Sequence, residues 1–210
     1  MQYKSIKFQV ALFTSFTFVV ATLFLNNTNI FNYDGLEAIA NAATVTVTAS
    51  VTETVSCTNS ETATAFGTLS SGSITTAAPP ATTTLSCNSA GGCTLSVSDE
   101  GDGSTAGLYN ATSTGNVITS STATLSAGTE GYGAQAATSS AGTGATLTLS
   151  TIYNKTGNNV GGFSRTATAL ASSSSPTANR EIVVNLKAAI SGTTKAGSYT
   201  DTITYSCIGN

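Results

Sequence analysis

ATVTVTASVTETVSC, residues 43–57, places Val45, Val47, Val51, Val55 and Cys57 at odd positions, with Thr or Ser mostly between them. Successive side chains on a strand point to opposite sides, so this period of two predicts a strand with one buried face over Ala43 to Cys57. The residue types agree with the spacing. Branched Thr and Val lose side-chain freedom in a helix and pack well on a pleated surface.

The same reading extends outward along the chain. FGTL, residues 66–69, is a short second segment. After the Pro79–Pro80 turn, ATTTLSC (81–87) and CTLSVSD (93–99) alternate on either side of NSAGG and are expected to form a hairpin. LSAGTEGYGAQA (125–136) reads as a glycine-broken strand, ATLTLSTI (145–152) alternates through Leu147 and Leu149, and residues 163–170 are a further strand candidate. EIVVNLKAAI (181–190) is the most continuous apolar run and is expected to be a central strand, its Ile-Val-Val cluster weighing against a short helix. SYTDTITYSC (198–207) puts Tyr199, Ile203, Tyr205 and Cys207 on one face of a last strand. Short strands separated by Gly, Ser and Asn turns predict an all-β fold, an antiparallel sandwich or barrel.

Ahead of this region, Lys4 and Lys7 precede the apolar run VALFTSFTFVVATLFL from Val10 to Leu25. That is the basic and apolar pattern of an export signal. Ala40-Asn41-Ala42 is a small-residue cleavage pattern, which makes residues 1–42 a signal peptide and 43–210 the mature sandwich domain. The segment NNTNIFNYDGLEAIANA between them is long for a signal, so an uncleaved signal anchor is the alternative. Either way the domain is expected outside the cytoplasm, with the membrane involved only through the signal segment.

Cys57, Cys87, Cys93 and Cys207 all lie in the exported part, and an even number of Cys in an exported domain implies disulfides. Cys87 with Cys93 across NSAGG leaves Cys57 with Cys207, tying the first strand to the last. The competing arrangement joins Cys57 to Cys87 and Cys93 to Cys207. A zinc site suits the spacing poorly, for there is no CxxC pair and no His.

Composition removes whole classes of chemistry. Only 8% of the residues are charged, against about a quarter in ordinary soluble proteins. Seven Lys plus Arg and a net charge of −3 leave no basic patch for a phosphate backbone, so nucleic acid is not an expected partner. The chain has no His, the usual base of a nucleophilic triad, and Lys155, Lys187 and Lys195 sit in no recognisable Ser-Lys motif. No catalytic and no cofactor-binding residue is therefore assigned, and the protein is not expected to be an enzyme. Eight carboxylates lie in the exported part, at Glu53, Glu61, Asp99, Glu100, Asp102, Glu130, Glu181 and Asp201. They are scattered except for Asp99, Glu100 and Asp102 in SDEGDGSTAG, which form the one candidate metal site, a set of oxygens for Ca²⁺. It lacks the spacing of an EF-hand loop, and a solvated Asp/Gly turn accounts for the same residues. NAT at Asn110 and NKT at Asn154 match glycosylation acceptors. Tyr109, Tyr132, Tyr153, Tyr199 and Tyr205 offer phenol groups for a binding face, with core packing the simpler role for Tyr199 and Tyr205.

Three pieces together resemble the spore coat protein U and fimbrial-type pilin superfamily: VTASVTETVSC followed by FGTL, TTTLSC carrying a second Cys, and the closing AGSYTDTITYSC, residues 196–207. The resemblance covers most of residues 43–207 in outline and rests on short β-patterns. It implies a secreted Ig-like or pilin-like sandwich and a structural role at the cell surface. It also implies a disulfide between the first two cysteines, Cys57 and Cys87. Cys93 and Cys207 depart from the family pattern, and no functional residue of the family carries over.

The function expected is that of a secreted surface component: a coat or pilus-like subunit, or a small adhesin, whose partners are other surface subunits. Residues 44–50 are the segment available to complete a neighbouring copy's sheet while residues 51–57 stay at home. Uncharged first and last strands favour such edge pairing. The alternative is a module that binds carbohydrate or another surface, assisted by Ca²⁺ at Asp99, Glu100 and Asp102.

Overall fold

A computed structural model describes residues 43–112 and 116–210 of the chain. The expected export signal, residues 1–42, lies outside the described residues. The chain divides into two compact units, Met1–Ala49 and Ser50–Asn210. Of the first, only residues 43–49 are described. They form no strand, and Val45 and Val47 are 86% and 87% exposed.

The second unit is built from strands in the order β1 (Val55–Asn59), β2 (Thr75–Thr76), β3 (Ala81–Cys87), β4 (Cys93–Asp99), β5 (Gly107–Asn110), β6 (Asn116–Thr119), β7 (Ala123–Thr124), β8 (Gly131–Thr138), β9 (Thr143–Gly144), β10 (Thr148–Leu149), β11 (Asn159–Val160), β12 (Thr168–Ser172), β13 (Thr177–Ala189), β14 (Tyr199–Thr200) and β15 (Ile203–Gly209). Every pairing between these strands is antiparallel. The fold is an all-β sandwich, as the alternation predicts.

β13 organises the first sheet. Along one edge it pairs with β3, itself flanked by β1, and then with β2; along the other it pairs with β9 and β8. The second sheet runs β10–β12–β4–β15. Alternate residues of both sheets fill the space between them. Leu85 of β3, Ile182 and Val184 of β13, and Tyr132 and Ala134 of β8 meet Leu95 and Val97 of β4 and Leu170 of β12 in one buried cluster. Each large aliphatic side chain so buried contributes about 1.5–3 kcal/mol. Two small sheets, β14–β5–β6 and β7–β11, complete the unit.

Two disulfides join the sheets. Cys57 of β1 bonds Cys207 of β15, and Cys87 at the end of β3 bonds Cys93 at the start of β4. This is the arrangement in which the first strand is tied to the last. The Cys57–Cys87 bond implied by the family resemblance is absent; in the β1–β3 register Cys57 stands opposite Leu85.

Several expectations need correction. Of residues 43–57 only Val55–Cys57 belong to a strand, and residues 43–54 form none. Val51 is 87% exposed like the valines before it. The backbone at Thr52 and Thr54 meets Asn88 instead of a ladder: Thr54 N–H donates to Asn88 Oδ1 at 2.7 Å and Asn88 Nδ2 donates to the Thr52 carbonyl at 2.8 Å. Residues 81–99 are not a hairpin. β3 lies between β1 and β13, β4 lies between β12 and β15, and the 88–92 loop crosses from one sheet to the other. A hairpin would put both inward rows on one side of one sheet, whereas here they face each other across the core. The strand expected over 125–136 begins only at Gly131, after a turn closed by Thr129 N–H donating to the Ser126 carbonyl. Residues 145–152 pair only at Thr148–Leu149, because Tyr153 N–H turns back to the Ser150 carbonyl. The candidate at 163–170 begins at Thr168. The last strand is broken at Asp201 and Thr202. β5 and β6 carry no alternation strong enough to be anticipated.

Candidate functional site

β1 and β15 are the outer strands of their two sheets on the same side of the sandwich, and among the described residues each pairs with only one neighbour. The Cys57–Cys207 bond closes that side at one end. Towards the other end the chain leaves β1 into residues 61–69 and enters β15 from residues 194–201, and between these two segments lies a groove of ≈ 910 Å³. Phe66, Leu69, Leu108, Leu186 and Ile190 give it apolar walls, while Tyr132, Tyr205 and Asp201 add polar groups.

The inward row of β4 explains the polar end of the groove. Cys93, Leu95, Val97 and Asp99 alternate with more exposed residues, so the strand's own parity carries a carboxyl into the core, 2% exposed. β15 runs beside β4 with Ile203 opposite Asp99, which brings the preceding Asp201 diagonally next to it. Asp99 Oδ1 accepts from Gly107 N–H at 3.1 Å, and its buried Oδ2 has no hydrogen-bond partner among the described residues. Asp201 Oδ1 accepts from Gly101 N–H at 3.2 Å, and its Oδ2 accepts from the Tyr132 hydroxyl at 3.0 Å. Tyr132 is fully buried and packs between Phe66 and Phe163, with ring centroids 6.1 Å and 5.8 Å away.

Burial governs the titration of these groups. Desolvation, then the neighbouring Asp201 charge, pushes the Asp99 carboxyl up to about 7. The Tyr132 hydroxyl is held well above its ordinary value by burial and by the charges of Asp201 and Asp99. Burial also pushes Tyr205 up to about 12, and its buried hydroxyl too has no partner among the described residues.

The three carboxylates expected to hold Ca²⁺ are placed apart in character. Asp99 points into the core and Glu100 is exposed. Asp102 folds over its own turn, with Oδ1 accepting from Ser104 N–H at 2.8 Å and Thr105 N–H at 2.6 Å, which lowers its pKa. Gly101 makes the turn possible: its φ is +54°, and a Cβ there would lie 1.8 Å from the Thr105 carbonyl oxygen. Among the described residues no group of three or more His, Cys, Asp or Glu side chains converges to hold a metal ion. The partner of Asp99 is Asp201, which the sequence reading leaves among the scattered carboxylates. Parity is the signal for it, since Asp99 shares the odd row of Leu95 and Val97, and Asp201 that of Ile203 and Tyr205.

Of the tyrosines, Tyr132, Tyr199 and Tyr205 line the groove. Tyr153 is buried against Phe163 and hydrogen-bonded to Thr168 at 3.0 Å. Of the two glycosylation matches, Asn110 is fully buried and accepts from Thr112, whereas Asn154 is exposed.

Among the described residues no helix is long and apolar enough to cross a membrane. Two disulfides fit an oxidising environment. In comparison with known proteins, the chain matches no family model, no curated protein and no solved structure.

Proposed function

We propose that the protein is a non-enzymatic structural subunit of an extracellular surface assembly, exported by its N-terminal signal and joined to its neighbours by strand addition. Residues 44–50 of one copy are the added strand, and the groove beside β1 and β15 of the next copy receives it. The observation that carries this reading is the pairing of two open features. One is an alternating run that forms no strand and exposes Val45, Val47 and Val51. The other is an apolar groove bordered by two strands that each have an edge unpaired among the described residues. Seven extended residues span about 23 Å, and their alternate valines are spaced to enter pockets on one face. A contact that uses different surfaces on the two copies repeats as an open filament. Likeness to the coat protein U and pilin group fits the same reading.

A second reading rests on the groove's mixed lining. Tyr132, Tyr199, Tyr205, Asp201 and Lys195 beside apolar walls also suit a small polar ligand such as a carbohydrate. Light scattering and negative-stain microscopy on the protein from Ala43 onward, and on a version beginning at Val51, separate the two. Filaments from the first and monomers from the second are expected. Monomers from both would transfer the groove to the ligand-binding reading.

A further inference from the structure

The carboxyl pair at the polar end of the groove is not explained by strand addition. Two carboxylates side by side in a core are unfavourable unless something positive lies between them. Among the described residues no lysine or arginine bears on Asp99. The titratable groups that share its field are Asp201 from the β14–β15 connection, Tyr132 from β8 and Tyr153 from the turn after β10, all acids, with Tyr205 of β15 beyond them beside Tyr132 and Tyr153. The remaining polar neighbours are the N–H groups of Gly101 and Gly107. Three of the four carboxylate oxygens are satisfied by donors, namely Gly107 N–H, Gly101 N–H and the Tyr132 hydroxyl. The fourth, Asp99 Oδ2, is buried and has no partner among the described residues.

We propose that one proton resides on Asp99 Oδ2, is donated to the Asp201 carboxylate, and latches the β14–β15 connection to the end of β4 and, through Tyr132, to the opposite sheet. The proton turns the orphaned acceptor into a donor and removes the repulsion in one step. Losing it to water leaves two like charges beside each other at the wall of the groove. The latch does not depend on what the groove holds.

The Asp99 carboxyl stands at about 7 in the folded protein against 3.8 for the unperturbed group. Between those values the folded state binds a proton that the unfolded chain does not, so stability falls as pH rises. The contribution is complete below about pH 4 and is lost as pH passes through about 7. Acid-labile proteins behave in the opposite way. The chain has no histidine, so no other side chain with an ordinary pKa titrates between about pH 5.5 and 8.

The test is thermal unfolding of the protein from Ala43 onward at about pH 5.5 to 8, beside Asp99→Asn. The side-chain amide introduced by this substitution can donate permanently to Asp201 while its oxygen still accepts from Gly107. The melting temperature of the parent is expected to fall by roughly 4–8 °C across this range, and that of the variant to stay within about 2 °C. A parent that is level or gains stability towards the alkaline end, or a variant with the same fall as the parent, overturns the latch. Should Asp99→Asn not fold, carboxyl-carbon NMR of the parent decides. One aspartate titrating near neutrality supports the shared proton, and all aspartates titrating in the ordinary acidic range refute it.

Discussion

Residues 43–54 and residues 203–209 use the same alternation and meet opposite environments. In the first run Val45, Val47 and Val51 are 86–87% exposed. In the second Ile203, Tyr205 and Cys207 are half-buried while Thr204 and Ser206 face outward. β15 lies against β4 for its whole length, from Ile203 opposite Asp99 to Gly209 opposite Cys93, and this register turns its odd residues inward. Residues 43–54 form no strand, so their alternation has no sheet to orient it. Alternation therefore specifies which side chains share a face. It does not say whether the same chain supplies the neighbouring strand.

That contrast is open to attack by mutation. The largest effect is expected where β15 is tied to β1. Replacing Cys57 and Cys207 by Ser opens a cross-link spanning 150 residues and should lower the unfolding free energy by about 5 kcal/mol on chain entropy. The Cys87–Cys93 bond spans 6 residues, and its loss should lower stability by only about 2 kcal/mol. Denaturant titration of the two Ser pairs measures both values, and equal losses would remove the special place given to the β1–β15 side. Next in size, Leu95→Ala in the middle of β4 is expected to lower stability by about 3 kcal/mol through the cavity it leaves. Tyr132→Phe takes away the donor to Asp201 and should lower stability by about 2 kcal/mol. Tyr205→Phe removes a buried hydroxyl that has no partner among the described residues, so it should leave stability unchanged or raise it by up to about 1 kcal/mol. The smallest effect belongs to the other run. Val47→Ala is expected to change monomer stability by less than about 0.5 kcal/mol, and a loss near that of Leu95→Ala would mean that residues 43–54 are part of the domain's own core.

Much of the fold is legible where alternation is strong and both faces of the sandwich enforce it. Ala81–Cys87 and Cys93–Asp99 are strands over the residues that alternate, and the apolar run at 181–190 lies largely within β13. Their partners are not legible, because a short loop such as 88–92 can close a hairpin or cross between sheets, and the local sequence is compatible with both. β5 and β6 are short and too evenly covered to show a period of two. The candidate site shows the same division. Parity alone turns Asp99 and Asp201 inward, but bringing them together needs β4 beside β15, a pairing between distant parts of the chain. The Asp99, Glu100 and Asp102 cluster is adjacent in sequence, yet neighbours on an extended strand and turn point in different directions.

Residues 44–50 are proposed to find their sheet in another copy, whereas Thr52 and Thr54 are held by Asn88 of their own chain. Amide hydrogen exchange over residues 44–50, measured on the protein from Ala43 onward at low and at high concentration, decides it. Fast exchange at low concentration and strong protection at high concentration are expected, with β15 gaining protection in parallel. Protection that is the same at every concentration would mean that the run pairs within its own chain. Fast exchange throughout, in material that has assembled, would mean that the copies associate by some other surface.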